Sequence, residues 1–234
     1  MERVAEGADN TMAEVKVIEV HEGVFAENDR IAAATRSALR AQKTVIINLM
    51  ASPGAGKTTT LLRTFAALRD EFAIGIMEAD IDATIDAERM QAAGARSIQV
   101  HTGVNCAMDA EMTRDALREF PTQDLDLLVL ENVGNLVCPA ETDTGAAVNV
   151  EILSVPEGDD KPLKYPLMFQ VCDIVLINKI DTREYFPFDD EAVQQRIHAL
   201  NPNAKIFFLS AKTGEGFDAW LDWLREALRA YCAG

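Results

Sequence analysis

The apolar positions of the chain form two alternating patterns: short continuous runs and longer stretches with helical spacing. Seven short runs predict strands, near residues 44–50, 72–77, 97–101, 126–130, 148–154, 174–177 and 205–209, and the first of them resembles a strand that is buried on both faces. Stretches with apolar residues every three or four positions predict helices near residues 28–42, 57–70, 86–93, 106–119, 190–200 and 217–230. Strands that alternate with helices predict an α/β fold with a mainly parallel sheet and helices on both of its faces.

Two segments depart from this alternation. Residues 1–27 are acidic and weakly patterned, which favours an N-terminal extension followed by one domain over residues 28–234. Residues 156–162 are polar, charged and bounded by prolines, which predicts a mobile surface loop. Since 48% of the 234 residues are hydrophobic, the chain has enough apolar material for one substantial core.

A phosphate-binding loop is predicted between the first strand and the helix after it. Residues 51–58 match the pattern G-x-x-x-x-G-K-[ST], with Ala51 in the place of the first glycine. In such a loop the backbone N–H groups face the phosphates, Lys57 neutralises the β- and γ-oxygens, and the Thr58 hydroxyl holds Mg²⁺. The alternative is a chance glycine-rich turn at a helix start. These features predict a P-loop NTPase, in which the phosphate contacts come from Pro53, Gly54, Ala55, Gly56, Lys57, Thr58 and Thr59.

A base-reading motif is predicted after the strand at residues 174–177. Asn178, Lys179 and Asp181 form an N-K-x-D pattern, and the Asp181 carboxylate can accept from guanine N1–H and the exocyclic amine. The motif therefore indicates GTP in preference to ATP, although a polar turn after a strand is the simpler alternative. A third base-contacting loop is predicted at Ser210, Ala211 and Lys212, where a backbone N–H would meet the guanine oxygen.

Carboxylates that end two other strands are the candidate magnesium ligands. Asp80 follows the second strand and Glu131 the fourth, and the carboxyl ends of parallel strands meet at one crevice. We expect Asp80 in the Mg²⁺ shell, and we expect Glu131 to order a metal-bound or attacking water, so that both act with Lys57 in catalysis. Asp82 and Asp86 are weaker candidates, and Asp86 also suits a helix cap.

The charge and composition of the chain indicate which classes of partner and which cell compartment to expect. The formal net charge of −16 disfavours nucleic acid and anionic membranes. The N-terminus lacks the pattern of a secretory signal, and the apolar runs are too short to span a bilayer, so we expect a cytoplasmic protein. The four cysteines form no C-x-x-C pair, and reduced thiols are the expectation for that compartment.

Several motifs together resemble one family, the hydrogenase nickel-incorporation (HypB-type) GTPases, which are P-loop metallochaperones of the SIMIBI class. The resemblance runs from about Asn28 to the end of the chain, and the block ending in Cys138-Pro139 is its most specific part. It is carried by the segments 52–59, 78–80, 86–89, 131–140, 164–169 and 178–181.

The resemblance implies a GTPase with slow, regulatory hydrolysis that assists nickel insertion into [NiFe]-hydrogenase. It implies a nucleotide-dependent homodimer that works with a nickel-binding accessory protein and the hydrogenase large-subunit precursor. It also implies a Ni²⁺ or Zn²⁺ site at the dimer interface, whose cysteine ligands match Cys106 and Cys138. The sequence departs from the family at Ala107, where a histidine is expected, and the Cys-rich or His-rich N-terminal motif of some members is missing.

These departures leave several interpretations open. Two thiolates from each of two subunits would form a four-sulfur site, and His101 is a weak substitute for the missing ligand. The alternative is that Cys106 and Cys138 are small buried residues with inert thiols. The function would then be that of a GTP-dependent dimerising scaffold, and an accessory GTPase for another nickel enzyme such as urease is a further alternative.

Overall fold

The structure, a computed structural model, describes residues 21–80 and 85–233. Its strands are β1 (Val45–Ala51), β2 (Ile74–Asp80), β3 (Arg96–His101), β4 (Leu127–Glu131), β5 (Val148–Ser154), β6 (Ile174–Asn178) and β7 (Lys205–Phe208). Its helices are α1 (His21–Ala41), α2 (Lys57–Leu68), α3 (Ile85–Ala92), α4 (Ala110–Glu119), α5 (Cys138–Glu141), α6 (Lys161–Lys164), α7 (Pro166–Val171), α8 (Asp190–Leu200) and α9 (Phe217–Ala233).

The seven strands form one sheet in the order β3-β2-β4-β1-β5-β6-β7, and every neighbouring pair is parallel. Successive residues of a strand point to opposite faces, so the central strands contribute to two apolar layers. Val150 and Ile152 of β5 pack in a cluster with residues of α2 and α9, whereas Leu153 packs in a cluster with residues of α7 and α8. The predicted α/β class, with helices on both faces of a parallel sheet, is therefore confirmed.

Two helix starts differ from the sequence prediction. α4 begins at Ala110 rather than near 106 because the Asp109 side chain accepts a hydrogen bond from Met112 N and caps the helix there. Cys106 consequently lies in the loop before α4. α1 begins at His21, so it includes residues 21–27 of the predicted extension, while residues 1–20 lie outside the described structure. No helix in the described ranges has the length and apolar character needed to cross a bilayer.

The segment at residues 156–162 is ordered by local contacts, so the prediction of a mobile surface loop is wrong. Residues 155–157 form a 3₁₀ turn, in which the Glu157 carboxylate accepts hydrogen bonds from the backbone N–H and the hydroxyl of Ser154. Asp159 pairs with Arg196 on α8, and α6 follows at once. The charged side chains of this segment form hydrogen bonds and ion pairs with neighbouring residues, and composition alone does not predict such contacts.

Glu151 is an ionisable residue inside the apolar layer of β5. It is 1% exposed, and its register partners Met50 and Val175 are also fully buried. Its Oε2 atom has no hydrogen-bond partner among the described residues. Burial raises the pKa of Glu151 well above its ordinary value, and the negative charge of Glu157 raises it further. Both effects favour the neutral form of this buried carboxyl group.

Replacing Glu151 by Leu is expected to raise the free energy of unfolding at pH 7.5 by about 2 kcal/mol, because an unpartnered buried polar atom is removed. The folded pKa lies above the unfolded value of 4.5, so the native carboxyl retains a proton that the unfolded chain releases. The part of the penalty that comes from this difference in bound protons is absent well below pH 4.5 and grows as the pH rises towards the folded pKa. Urea unfolding at pH 5 and pH 7.5 measures this, with the exposed Glu119→Gln as control. A gain for Glu151→Leu that is equal at both pH values would contradict the linkage.

Candidate functional site

The phosphate-loop segment forms a tight turn between β1 and α2. Gly54 has φ +78° and Gly56 has φ +106°, a region that disfavours side chains with a Cβ atom. Gly56 also has no room for a side chain, since a Cβ there would lie 2.5 Å from Asn178 Nδ2. Ala51 is the last residue of β1, so its extended backbone needs no glycine. The turn therefore brings the N-terminus of α2 to the carboxyl edge of the sheet.

An acidic cleft opens beside this turn. Lys57, Asp80 and Glu131 line it together, as do Pro53, Thr58 and Thr59 at its outer part. The Thr58 hydroxyl donates to Glu131 Oε1 at 3.5 Å, and Glu131 is only 6% exposed. The structure thus brings the predicted magnesium ligands into one cleft with the predicted catalytic lysine.

The cleft also contains residues to which the sequence reading assigned no role. Glu78 lies in register with Glu131 on the neighbouring strand, and Arg89 and Gly134 complete the lining. Gly134 leaves space for the lysine, because a Cβ at that position would lie 3.3 Å from Lys57 Nζ. The sequence did contain an indication for Glu78: it lies two residues before Asp80 on the same strand, and residues with that spacing point to the same face of a sheet. Of the weaker candidates, Asp82 lies outside the described residues and Asp86 is placed only by its position in α3.

The predicted base-reading motif packs directly against the phosphate loop. Asn178 is 2% exposed, its Nδ2 donates to Ala55 O at 2.9 Å, and its Oδ1 accepts from Ala211 N at 3.0 Å. Lys179 has φ +61°, and its Nζ donates to Gly54 O at 2.6 Å. One asparagine therefore joins the phosphate loop to the loop at residues 210–212, although 123 residues separate it from Ala55.

The Asp181 carboxylate is held in place by a buried serine. Ser210 Oγ donates to Asp181 Oδ1 at 2.6 Å and accepts from Thr213 N at 3.1 Å. Ser210 is fully buried, whereas Asp181 is half-buried, so the carboxylate remains reachable from outside. Lys212 is exposed at the end of the same loop. The phosphate loop and the two predicted base-contacting segments thus form one hydrogen-bonded unit.

The two cysteines with family counterparts are joined. Cys106 and Cys138 form a disulfide with their Cα atoms 6.0 Å apart. Their expected reduced state is therefore not the state in this structure, and the alternative of two buried inert thiols is wrong, because Cys106 is exposed and Cys138 half-buried. The pairing was not predicted from the sequence, because the two cysteines are 32 residues apart in the chain. A thiolate site for a metal would require reduction of this bond.

The described residues around the disulfide offer oxygen ligands and no histidine. Asn28, Asp109, Glu141 and Thr142 line the hollow beside it, and His101 does not. Within the described ranges no group of three or more His, Cys, Asp or Glu side chains is placed to hold a metal. Cys172 is a separate free thiol, fully buried on α7's C-terminal side, and burial raises its pKa well above the ordinary value. The side chain of Cys232 is not described.

Asn132 connects the cysteine loop to the phosphate cleft. It follows Glu131 directly, and its Oδ1 accepts from Met108 N at 3.0 Å, two residues after Cys106. Its Nδ2 donates to Asn48 Oδ1 at 3.0 Å, within the sheet. On the other side, Cys138 is seven residues along the chain from Glu131. Both cysteine segments are therefore anchored at the strand end that carries a cleft carboxylate.

Comparisons with known proteins agree with this arrangement. The sequence profile described as "CobW/HypB/UreG, nucleotide-binding domain" matches residues 45–208. The hydrogenase maturation factor HypB of Escherichia coli K12 is 43% identical over 213 residues, covering 91% of this chain and 73% of that protein. The hydrogenase/urease maturation factor HypB of Helicobacter hepaticus is 39% identical over 215 residues, covering 90% of this chain and 88% of that protein.

Solved structures are similar over most of the chain. HypB from Archaeoglobus fulgidus superposes with a TM-score of 0.81 at 41% identity, covering 87% of this chain and 99% of that one. HypB from Helicobacter pylori, solved in complex with nickel, superposes with a TM-score of 0.81 at 38% identity, covering 87% of this chain and 96% of that one. The phosphate-loop motif, the N-K-x-D motif and these matches together place the chain in the HypB family of P-loop, nucleotide-binding hydrogenase maturation factors.

Proposed function

We propose that this protein is a GTP-hydrolysing metallochaperone that assists nickel insertion into [NiFe]-hydrogenase. The observation that carries the proposal is the short connection between two sites: Glu131 lies in the phosphate cleft, and Asn132 and Cys138 follow it on the same segment. A change at the γ-phosphate is thereby transmitted over a few residues to the cysteine pair. The nickel complex known for the Helicobacter pylori relative supports a metal cargo.

In the proposed mode of GTP binding, the phosphate loop holds the phosphates, and the segments at residues 178–181 and 210–212 hold the guanine base. The N–H groups at the start of α2 and the Lys57 ammonium face the phosphates, since both line the cleft at the carboxyl edge of the sheet. The Asp181 carboxylate, oriented by Ser210, accepts the two N–H groups that distinguish guanine from adenine. Asn178 keeps the phosphate loop and the base-contacting segments at a constant separation.

For hydrolysis, the donors around the cleft fit magnesium, a hard cation that prefers oxygen ligands. Thr58 and Asp80 would hold the ion, with Glu131 as a direct or water-mediated ligand. When bound, Mg²⁺ supplies neutralisation of charge on the β- and γ-phosphate oxygens. Glu131 orients the attacking water, and Lys57 stabilises the charge that develops on the transferred phosphoryl group. Slow turnover suits a switch rather than a metabolic enzyme.

The proposed cargo site consists of Cys106 and Cys138 in their reduced form. Two thiolates from each chain of a homodimer would supply four sulfur ligands for Ni²⁺ or Zn²⁺, without the histidine that Ala107 replaces. Ala107 is buried at 9% exposure and offers no donor. The exposed side chains of Val104 and Val137 flank the two cysteines, and burying them is a driving force for nucleotide-dependent dimerisation around the site.

Metal uptake by the reduced protein tests the proposal. With a non-hydrolysable GTP analogue, we expect about one Ni²⁺ or Zn²⁺ ion per two chains, and loss of that ion in Cys106→Ala and in Cys138→Ala. The buried Cys172→Ala is the matched control and should bind metal like the parent. The measurement is metal content after gel filtration under reducing conditions, with GDP in a parallel series.

Equal metal content in all four proteins would remove the cysteine site. Absence of metal from the reduced parent, together with intact GTP-dependent dimerisation, would favour the scaffold function. If the cysteine site is present, delivery of nickel from a nickel-binding accessory protein to the hydrogenase large-subunit precursor is the next step to reconstitute. The Helicobacter hepaticus relative is named for urease as well as hydrogenase, so a urease precursor is the natural second client in the same assay.

A further inference from the structure

Arg63 connects the helix of the phosphate loop to the loop that meets the base. It lies on α2, six residues after Lys57, or about 9 Å along the helix axis. Its Nη1 donates to Ala211 O at 3.0 Å and to Lys212 O at 3.4 Å, and its guanidinium carbon lies 5.5 Å from the centre of the Phe217 ring. A half-buried arginine therefore holds two successive carbonyl groups of the base-contacting loop.

The loop is shaped to receive this side chain. Gly214 closes the turn, with φ +91° and a hydrogen bond from its N–H to Ser210 O at 2.8 Å. A Cβ atom on Gly214 would overlap the Arg63 guanidinium. The missing side chain thus serves two purposes: it permits the left-handed backbone and leaves the space that the arginine occupies.

The contact with Ala211 O controls a particular N–H group. The peptide that joins Ala211 to Lys212 is planar and trans, so its carbonyl and its N–H point in opposite directions. Ala211 N donates to Asn178, Thr213 N to Ser210 Oγ and Gly214 N to Ser210 O, whereas Lys212 N donates to no described residue. By holding the Ala211 carbonyl, Arg63 directs this remaining donor away from itself and out of the loop.

We propose that Arg63 is a positioning residue for base specificity, which holds the Ala211–Lys212 peptide so that Lys212 N–H donates to guanine O6. Adenine carries an amino group in place of that oxygen, and two facing donors disfavour it. The inference rests on the proposed guanine site and adds to it a residue outside the N-K-x-D and Ser-Ala-Lys motifs.

Two variants separate this role from packing. Arg63→Ala removes the whole side chain, and Arg63→Met keeps an apolar stem over Phe217 while removing every donor. For both we expect the Kd for GDP to rise about tenfold, while the Kd for ADP and for inorganic tripolyphosphate stays within about twofold. Arg69→Ala is the matched control, because Arg69 caps the C-terminus of the same helix but donates to Ala93 O instead. It should leave all three affinities unchanged.

The measurement is isothermal titration with GDP, ADP and tripolyphosphate on each full-length protein, alongside its melting temperature. Equal weakening of all three ligands by Arg63→Met, or an unchanged Kd for GDP, would overturn the inference. A parent protein that does not prefer GDP to ADP would overturn the proposed function itself. A parent that does prefer GDP, and loses the preference in Asp181→Asn but not in Arg63→Met, would overturn only the role of Arg63.

Discussion

Replacing Asp181 by Asn is expected to lower the affinity for GDP and GTP by roughly 100- to 1000-fold and to favour xanthine nucleotides instead. In the proposed site the Asp181 carboxylate accepts two N–H groups of guanine, and each such charge-assisted hydrogen bond contributes about 1.5–3 kcal/mol. An amide at this position still accepts one N–H but presents its own N–H to the exocyclic amine. Xanthine carries an oxygen there, so the pairing is restored for that base.

The surrounding contacts make this a change of chemistry rather than of structure. Ser210 Oγ, which donates to Asp181 Oδ1, can donate equally to the amide oxygen of asparagine. Titration of the variant with GDP and XDP measures the switch, and Asp218→Asn in the exposed first turn of α9 serves as control. Retained guanine preference in Asp181→Asn would show that the base is read elsewhere.

Replacing Lys57 by Ala is expected to slow GTP hydrolysis by about 100- to 1000-fold at saturating nucleotide. The ammonium group lines the cleft together with the carboxylates of Asp80 and Glu131. Without it, only the proposed Mg²⁺ would offset the negative charge of these carboxylates and of the triphosphate in the inner part of the cleft. The protein as a whole adds to this repulsion with its net charge of −16. No other side chain brings a positive charge to the inner part of the cleft, among the described residues that line it.

Phosphate release in single-turnover experiments measures the effect of Lys57→Ala. Lys205→Ala is the matched control, because it removes the same charge at the start of β7, at the opposite end of the strands. Its hydrolysis rate should equal that of the parent. If Lys57→Ala hydrolysed GTP at the parental rate, the cleft would not be the site of phosphoryl transfer.

The elements of the fold were accessible from local pattern. Short apolar runs predicted all seven strands. The pattern was clearest for β1, β4 and β6, because a strand that is buried on both faces carries apolar residues along its whole length. Helical spacing predicted α2, α8 and α9 closely, since their buried residues recur on one face. The short helices α5, α6 and α7 were missed, because four to six residues are too few to display a period.

The candidate site was predictable where a motif requires a particular backbone or a particular charge. Gly54 and Gly56 had to be glycine for their positive φ, and Lys57 with Thr58 follows from the phosphate chemistry. Glu78 and Arg89 were not assigned a role, because only the structure shows that Glu78 lies in register with Glu131 and that Arg89 of α3 reaches the cleft. Residue type alone does not predict which side chains of different strands and helices meet in the cleft.

By itself, the sequence determined the alternation of strands and helices and the presence of the phosphate-loop and N-K-x-D motifs, because each depends on residues close together in the chain. Only the tertiary structure decided the Cys106–Cys138 bond, the contact of Arg63 with the 210–212 loop and the burial of Glu151. These join positions 32 to 148 residues apart, or depend on what packs against a strand. Contacts of that kind are set by the packing of the whole sheet and its helices, which no local pattern records.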